Sequence, residues 1–361
     1  MNKSRIGVGF VGLSATRGWA ARGHLPALAL LPEFEIRGLV GATAESAAAA
    51  GTKYGIAYTT EKIGDMLARS DIDLVVITVV VPGHRSAIEA ALRAGKAVFC
   101  EWPLACNLKE AEELAALARS LSLPCFVNMQ ASHSPALKFI SDLLAEGYVG
   151  EVLSTSVLGT GSSPWGLDTI ENNQKVYQDA RNGATTLTIP LGHLLGSLIR
   201  LFGTLDEART TLAVRKKTVG IRGTDERLEV SSPDQVCVSG RFSSGPIGSI
   251  HYRTGAQTSV GLHWEINGSN GCLVIKAPTG HFQYGDVTID GYRQGVDKFQ
   301  RLEIPEKYWT VNGPRTGLGY TVAMTYDMIE KDFRNGTSHA CCIEDALLLH
   351  KNLHAIEFAT S

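Results

Sequence analysis

The chain predicts a doubly wound α/β domain over residues 1–130, followed by an α+β domain with a predominantly antiparallel open sheet over residues 131–361. Three observations carry this. Short apolar runs alternate with helical periodicity through the first third, a glycine-rich turn stands directly after the first run, and beyond Val149 the texture changes to polar and β-branched segments divided by glycines. At 361 residues the chain is too long for one ordinary domain and sufficient for two that each bury a core.

In the first domain, residues 6–11, 34–40, 74–78, 97–100 and 124–128 read as strands. Residues 19–31, 44–54, 83–94 and 108–121 carry helical periodicity between them. That alternation builds βαβ units and hence a parallel sheet covered on both faces. Asn107, with Glu110 three positions on, predicts a capping box that starts the fourth helix. In the second domain, residues 151–158, 236–242, 249–253 and 272–276 read as strands of an antiparallel sheet. An apolar helix is expected at 186–201, and two more at 320–334 and 343–360, packing back toward the first domain.

Composition narrows the function classes. The chain is 44% hydrophobic and 19% charged with a formal net charge of −2, so no field gathers nucleic acid or anionic lipid, and no basic stripe is present. The strongly apolar run at 74–81 is too short to cross a bilayer and reads as a buried parallel strand. Met1-Asn2-Lys3-Ser4-Arg5 runs straight into a strand pattern without the apolar core of a signal peptide, and seven cysteines lack CxxC or zinc spacing. A cytoplasmic protein with reduced thiols, no membrane span and no metal site is expected. His350 and His354 stand four apart on a helix, but the Glu of a HExxH arrangement is missing, so they read as surface or core residues.

The turn after the first strand is Gly9-Phe10-Val11-Gly12-Leu13-Ser14-Ala15-Thr16-Arg17-Gly18. Gly12 permits the tight turn, and small residues let backbone amides approach a pyrophosphate at the start of a helix. The pattern departs from GxGxxG, because Ser14 replaces the middle glycine and Gly18 arrives one residue late. Its place at the head of a βαβ run makes it a Rossmann-type site, with Gly12, Leu13, Ser14, Ala15, Thr16 and Arg17 as the expected cofactor contacts. The second strand ends Val40-Gly41-Ala42-Thr43, without the acid that holds an adenosine ribose; Thr43 joins the contact set, Arg37 lies within the strand, and NAD and NADP stay unseparated.

Further motifs follow in order: Thr78-Val79-Val80-Val81-Pro82-Gly83-His84, Glu101-Trp102-Pro103, Gly147-Tyr148-Val149-Gly150, His193 near a helix start, Ile266-Asn267-Gly268-Ser269-Asn270-Gly271, and Asp345-Ala346. This succession resembles the glucose-fructose oxidoreductase, inositol dehydrogenase and MocA (Gfo/Idh/MocA) family over nearly the whole chain. Gly18-Trp19-Ala20, His24-Leu25-Pro26-Ala27, Glu101-Trp102-Pro103-Leu104-Ala105-Cys106 and Gln130 resemble more narrowly the branch of the fungal galactose-pathway repressor. The resemblance implies that His84 lies beneath the nucleotide and Glu101 beside the nicotinamide ribose. It also implies that Pro103 sets the turn, with the isomer of its peptide bond open, and that copies associate through the open sheet as a homo-oligomer.

The same resemblance exposes two departures. Family enzymes carry a lysine in a Glu-Lys-Pro motif and an Asp four residues before the histidine; here those positions are Trp102 and Ile189. An indole accepts no proton at neutral pH, so Trp102 can only stack or donate. His193 is left as the proton-handling candidate, with Tyr177 and Asp179 as replacement donor or acid, and Trp165 on the 159–173 loop as a cover over a substrate opening. Two functions stay open: an NAD(P)-dependent oxidoreductase acting on a sugar, polyol or related small hydroxyl or carbonyl compound, and a non-catalytic dinucleotide-binding regulator with a protein partner.

Overall fold

A computed structural model of the chain describes residues 5–161, 164–255, 261–295 and 297–359. Expectations on residues 1–4, on Ser162 and Ser163 of the 159–173 loop, and on Thr360 fall outside those residues. The chain forms two compact units, Met1–His133 with Thr310–Leu348, and Ser134–Trp309 with Leu349–Ser361.

The first unit is built on six parallel strands, β1 (Ile6–Val11), β2 (Phe34–Val40), β3 (Thr59–Thr60), β4 (Leu74–Ile77), β5 (Ala97–Glu101) and β6 (Cys125–Asn128), in the order β3-β2-β1-β4-β5-β6. The order reverses between β1 and β4, and ligands of such sheets bind outside the carboxyl ends of the strands at that reversal. Every residue of β4 is fully buried, as a central parallel strand covered on both faces must be. The helices are α1 (Leu25–Leu28), α2 (Ala44–Tyr54), α3 (Ile63–Leu67), α4 (His84–Arg93) and α5 (Leu108–Leu121), and the distant helix Leu318–Asn335 packs in the same unit against α1. That contact is close because Gly319 carries no side chain: a Cβ there would stand 2.8 Å from Pro26 Cβ.

Three local features differ from expectation. The first helix is a short π turn, Ala20–His24, leading into α1, with Pro26 tolerated in its first turn. β3 and α3 were not anticipated, the one being only two residues long and the other five. At α5 the Asn107 side chain accepts from the Glu110 amide at 3.0 Å, but the Glu110 carboxylate accepts from Cys106 N–H at 3.1 Å, one residue upstream of the cap. The start is thus capped by a displaced box.

The second unit holds α6 (Pro135–Ala145), β7 (Val152–Thr160), β8 (Thr169–Ile170), α7 (Gly192–Phe202), β9 (Leu205–Ala213), β10 (Thr218–Ile221), β11 (Arg227–Glu229), β12 (Gln235–Phe242), β13 (Ile247–Arg253), β14 (Leu262–Gly268), β15 (Gly271–Ala277), β16 (Thr288–Arg293) and β17 (Gln300–Arg301). Eight strands form one sheet, β17-β16-β15-β14-β7-β13-β12-β9, antiparallel except for the β7–β13 pair. Buried and exposed positions alternate along β12 and β13, as on a sheet with one covered face. The apolar expectation at 186–201 resolves into a π turn, Leu187–Leu191, and α7. By length and apolarity the segment Ala180–Phe202 would pass for a membrane span, but 72% of its apolar window is buried inside the protein. β8, β10 and β11 make a small separate sheet around Ile170, Val219 and Ile221.

Candidate functional site

The glycine turn sits at the carboxyl end of β1. Gly12 has φ +106°, and a Cβ there would stand 2.8 Å from Val79 N, so both conformation and space demand glycine. Its amide donates to Val40 O at 3.1 Å, and Leu13 is buried beneath the turn. Helix α2 draws the loop carbonyls to itself: Lys53 Nζ donates to Ala15 O at 2.5 Å and Tyr54 Oη to Ser14 O at 3.1 Å. Ser14 Oγ accepts from the Thr16 amide at 3.3 Å. Among the described residues, no protein acceptor faces the amides of Leu13, Ser14 and Ala15. Thr16 and Arg17 are exposed. Successive free amides beside an exposed guanidinium fit the pyrophosphate of a dinucleotide.

Thr43 serves α2. Its hydroxyl accepts from the Ser46 amide at 3.2 Å while its own amide donates to Ser46 Oγ at 3.0 Å, a capping box that starts the helix directly beyond β2. Arg37, the basic residue on that strand, bonds Glu35 and the carbonyl of Asp71. It is committed away from the strand's carboxyl end.

His84 is supporting rather than presented. Its ring lies between Pro103 O at 2.9 Å and Val79 O at 3.0 Å, and it is 1% exposed. Burial outweighs the pull of the two carbonyls and lowers its pKa, so the neutral ring donates to one carbonyl at a time. It ties the turn after β4 to the turn after β5. His84, expected beneath the nucleotide, is a buried staple between these two turns.

The Glu101-Trp102-Pro103 turn follows, with a cis Trp102–Pro103 bond. Trp102 is 4% exposed. Glu101 Oε1 accepts from His24 Nε2 and from Asn128 Nδ2, both at 2.5 Å, and His24 Nδ1 meets Tyr326 Oη at 2.8 Å. Asn128 stands opposite Glu101 in the β5–β6 register. This network of His24, Glu101, Asn128 and Tyr326 was not identified from sequence as a unit. Only Glu101 was singled out for a role there, and its partners come from elements up to 302 positions apart. Asn128 Oδ1 and Gln130 Oε1 are buried without a protein partner among the described residues.

In the second unit the end of β7, the loop before Phe282 and the π turn converge. Gly280 N–H donates to Thr160 O at 3.1 Å, Gly161 N–H donates to Arg253 O at 2.9 Å, and a Cβ on Gly161 would meet Pro190 and Thr186. Thr160 Oγ1, Thr186 Oγ1, His193 Nδ1 and Arg253 Nε are buried polar atoms without a protein partner among the described residues. His193 opens the first turn of α7, and burial with His281 nearby pushes its pKa down to about 3. His281, bonded to Gln283 Nε2 at 3.1 Å and stacked on Tyr284, falls to about 4 through burial. Both imidazoles are neutral at physiological pH. His193 is therefore an uncharged ring whose Nδ1 has no protein partner among the described residues.

The other two catalytic candidates have partners of their own. Tyr177 packs edge-on against the buried Trp165 ring at 5.7 Å, and burial raises its pKa, so it keeps its proton. Asp179 caps the 3-10 turn Ala180–Asn182 and chelates the Arg181 guanidinium, which hold its carboxyl below the usual range. Asp179, expected as a replacement acid, is committed to Arg181 and the turn. No hydrogen bond joins Tyr177 or Asp179 to His193 among the described residues. Ile189 lies on the π turn with its amide on Thr185 O, and offers no titratable group. Among the described residues no group of three His, Cys, Asp or Glu side chains is arranged to hold a metal ion.

Residues 6–129 match the oxidoreductase family with an NAD-binding Rossmann fold, and residues 135–277 match the Gal80p C-terminal domain. A dTDP-3,4-didehydro-2,6-dideoxy-alpha-D-glucose 3-reductase of Streptomyces violaceoruber is 30% identical over 284 residues, 75% of each chain. The galactose/lactose metabolism regulatory protein GAL80 of Saccharomyces cerevisiae is 25% identical over 80% of this chain and 70% of its own. A super-repressor mutant of that protein superposes with a TM-score of 0.87 at 22% identity, covering 99% of this chain and 96% of the other. A levoglucosan dehydrogenase in complex with NADH and levoglucosan superposes with a TM-score of 0.85 at 20% identity, covering 98% and 97%. The chain belongs to the Gfo/Idh/MocA oxidoreductase family, its NAD-binding Rossmann unit joined to a Gal80p-type C-terminal domain.

Proposed function

We propose that this protein is an NAD(P)-dependent oxidoreductase acting on a sugar, polyol or related hydroxyl or carbonyl compound. The observation that carries the substrate class is the set of unpartnered buried atoms at Thr160, Thr186, His193 and Arg253. Buried polar groups are costly unless hydrogen-bonded, and a ligand dense in hydroxyls satisfies several at once. Relatives named for sugars, among them the dTDP-sugar reductase and the levoglucosan dehydrogenase, support the same class.

The amides of Leu13, Ser14 and Ala15 with Arg17 hold the pyrophosphate, Glu101 is fixed by His24 and Asn128 at the turn, and Trp102 closes the wall. A nicotinamide held there would supply the hydride acceptor or donor. His193, uncharged, would accept the hydrogen bond of the substrate hydroxyl at Nδ1 and pass its proton on to solvent as the hydride leaves, with the reverse path in reduction; Thr160 and Thr186 would fix neighbouring hydroxyls. We place the protein in the cytoplasm, assembled with further copies of itself. The test is hydride transfer monitored at the nicotinamide absorbance across a sugar and polyol panel. Turnover that falls at least about tenfold in His193→Ala supports the reading; a substrate turned over equally well by the variant removes His193 from it.

A second reading, a dinucleotide-binding regulator with a protein partner, is favoured by one specific observation: a buried tryptophan and an isoleucine occupy two positions where family enzymes carry proton-handling side chains. The Gal80p-type second domain agrees with it. Coenzyme binding without hydride transfer across the whole panel, together with a captured protein partner, would establish this reading in place of the first.

A further inference from the structure

The dinucleotide site has a gap and a candidate that fills it. The ribose acid of a dinucleotide fold stands at the end of the second strand, where this chain has Val40-Gly41-Ala42-Thr43. The two-residue strand β3 runs parallel beside β2, pairing Val40 with Thr60, and Gly41 N–H donates to Thr60 O at 3.0 Å. The residue directly after that strand is Glu61. Its Oε2 accepts from the Ala44 amide, the first of α2, at 3.1 Å. A carboxylate is therefore anchored beyond the carboxyl end of β2 although β2 supplies none. Charged neighbours along the chain are Glu45 on the first turn of α2 and Lys62 next in sequence; Lys53 and Arg37 are engaged with backbone and Glu35.

We infer that Glu61 is the ribose-selecting acid of this protein: delivered from the turn after the adjacent strand, it accepts from the adenosine ribose hydroxyl and repels a 2′-phosphate, making the site select NAD over NADP. This rests on the dinucleotide reading above. The side chain is exposed and its removal opens no core. Its hydrogen bond among the described residues places one carboxylate oxygen and leaves the other for a hydroxyl. A unit charge facing a doubly charged phosphate across about 5 Å of water-like dielectric disfavours it by about tenfold.

The test is isothermal titration calorimetry of the full chain with NADH and with NADPH, for the wild type, Glu61→Gln and Glu61→Arg. Glutamine still accepts from the Ala44 amide, so the first variant removes charge and keeps the helix start. The wild type is expected to bind NADH about tenfold tighter than NADPH, Glu61→Gln to narrow that ratio at least about threefold through tighter NADPH binding, and Glu61→Arg to narrow it further. A wild-type ratio near one, or a ratio unmoved by both substitutions while NADH still binds, overturns the assignment. Silence of both coenzymes on the wild type removes the dinucleotide reading itself.

Discussion

Lowering the pH from 7.5 to 5.0 should destabilise this protein through its buried histidines. The ordinary imidazole value is 6.5, whereas burial holds His193 at about 3 and His281 at about 4 in the folded protein. A base whose folded pKa is depressed is protonated first in the unfolded chain. Its contribution to stability is intact above 6.5 and is lost as pH falls from there toward the folded value. At pH 5.0 the unfolded imidazole is about 1.5 units below its pKa while the folded one is still neutral, so each group costs about 2 kcal/mol. The result depends little on the folded value, provided that value lies below 5. His193 and His281 together predict a loss of about 4 kcal/mol, and His350, also lowered to about 4, adds about 2 more. Paired carboxylates such as Asp71 and Asp179 have lowered pKa values and keep their contribution at pH 5.0. Urea unfolding at the two pH values measures the difference, and the same pair of curves on His193→Gln isolates one histidine, whose removal should shrink the loss by about 2 kcal/mol. A wild-type loss under about 1 kcal/mol, or one unchanged in His193→Gln, would refute the burial argument.

Two further substitutions probe the first unit. Gly12→Ala meets Val79 N at 2.8 Å from a left-handed backbone, and should cost about 2 kcal/mol or more in stability and abolish the thermal shift given by NADH, read by differential scanning fluorimetry. His24→Ala strips the Glu101 carboxylate and the Tyr326 hydroxyl of a buried partner, and should cost about 3 kcal/mol by chemical denaturation; Tyr326→Phe in the same background should cost less than it does alone, and full additivity would show that the network is not a unit.

The parallel sheet was legible because strands such as β1 and β4 are continuous apolar runs alternating with helical patterns, and the start of α5 because its capping residues are local in sequence, whereas the cap at Thr43 was read as a cofactor contact. β3 escaped because two residues carry no periodicity, yet it positions Glu61. The π turns at Ala20–His24 and Leu187–Leu191 escaped for another reason: apolar periodicity marks a helical stretch without resolving which backbone register closes it. Side-chain commitments were the least legible. Asp179 and His84 have the residue types of chemistry, but Arg181 and two backbone carbonyls occupy them, and such engagement is a property of three-dimensional neighbours. Trp102 and Ile189 were readable as departures only because the surrounding motif fixed what should stand there.

The account rests on free amides after β1 gripping a pyrophosphate. Calorimetric titration of the wild-type chain with NADH tests this most directly. It predicts saturable one-site binding, accompanied by stabilisation of about 2.7 kcal/mol when the coenzyme stands at a hundred times its Kd. No heat and no change in unfolding with either NADH or NADPH would contradict it.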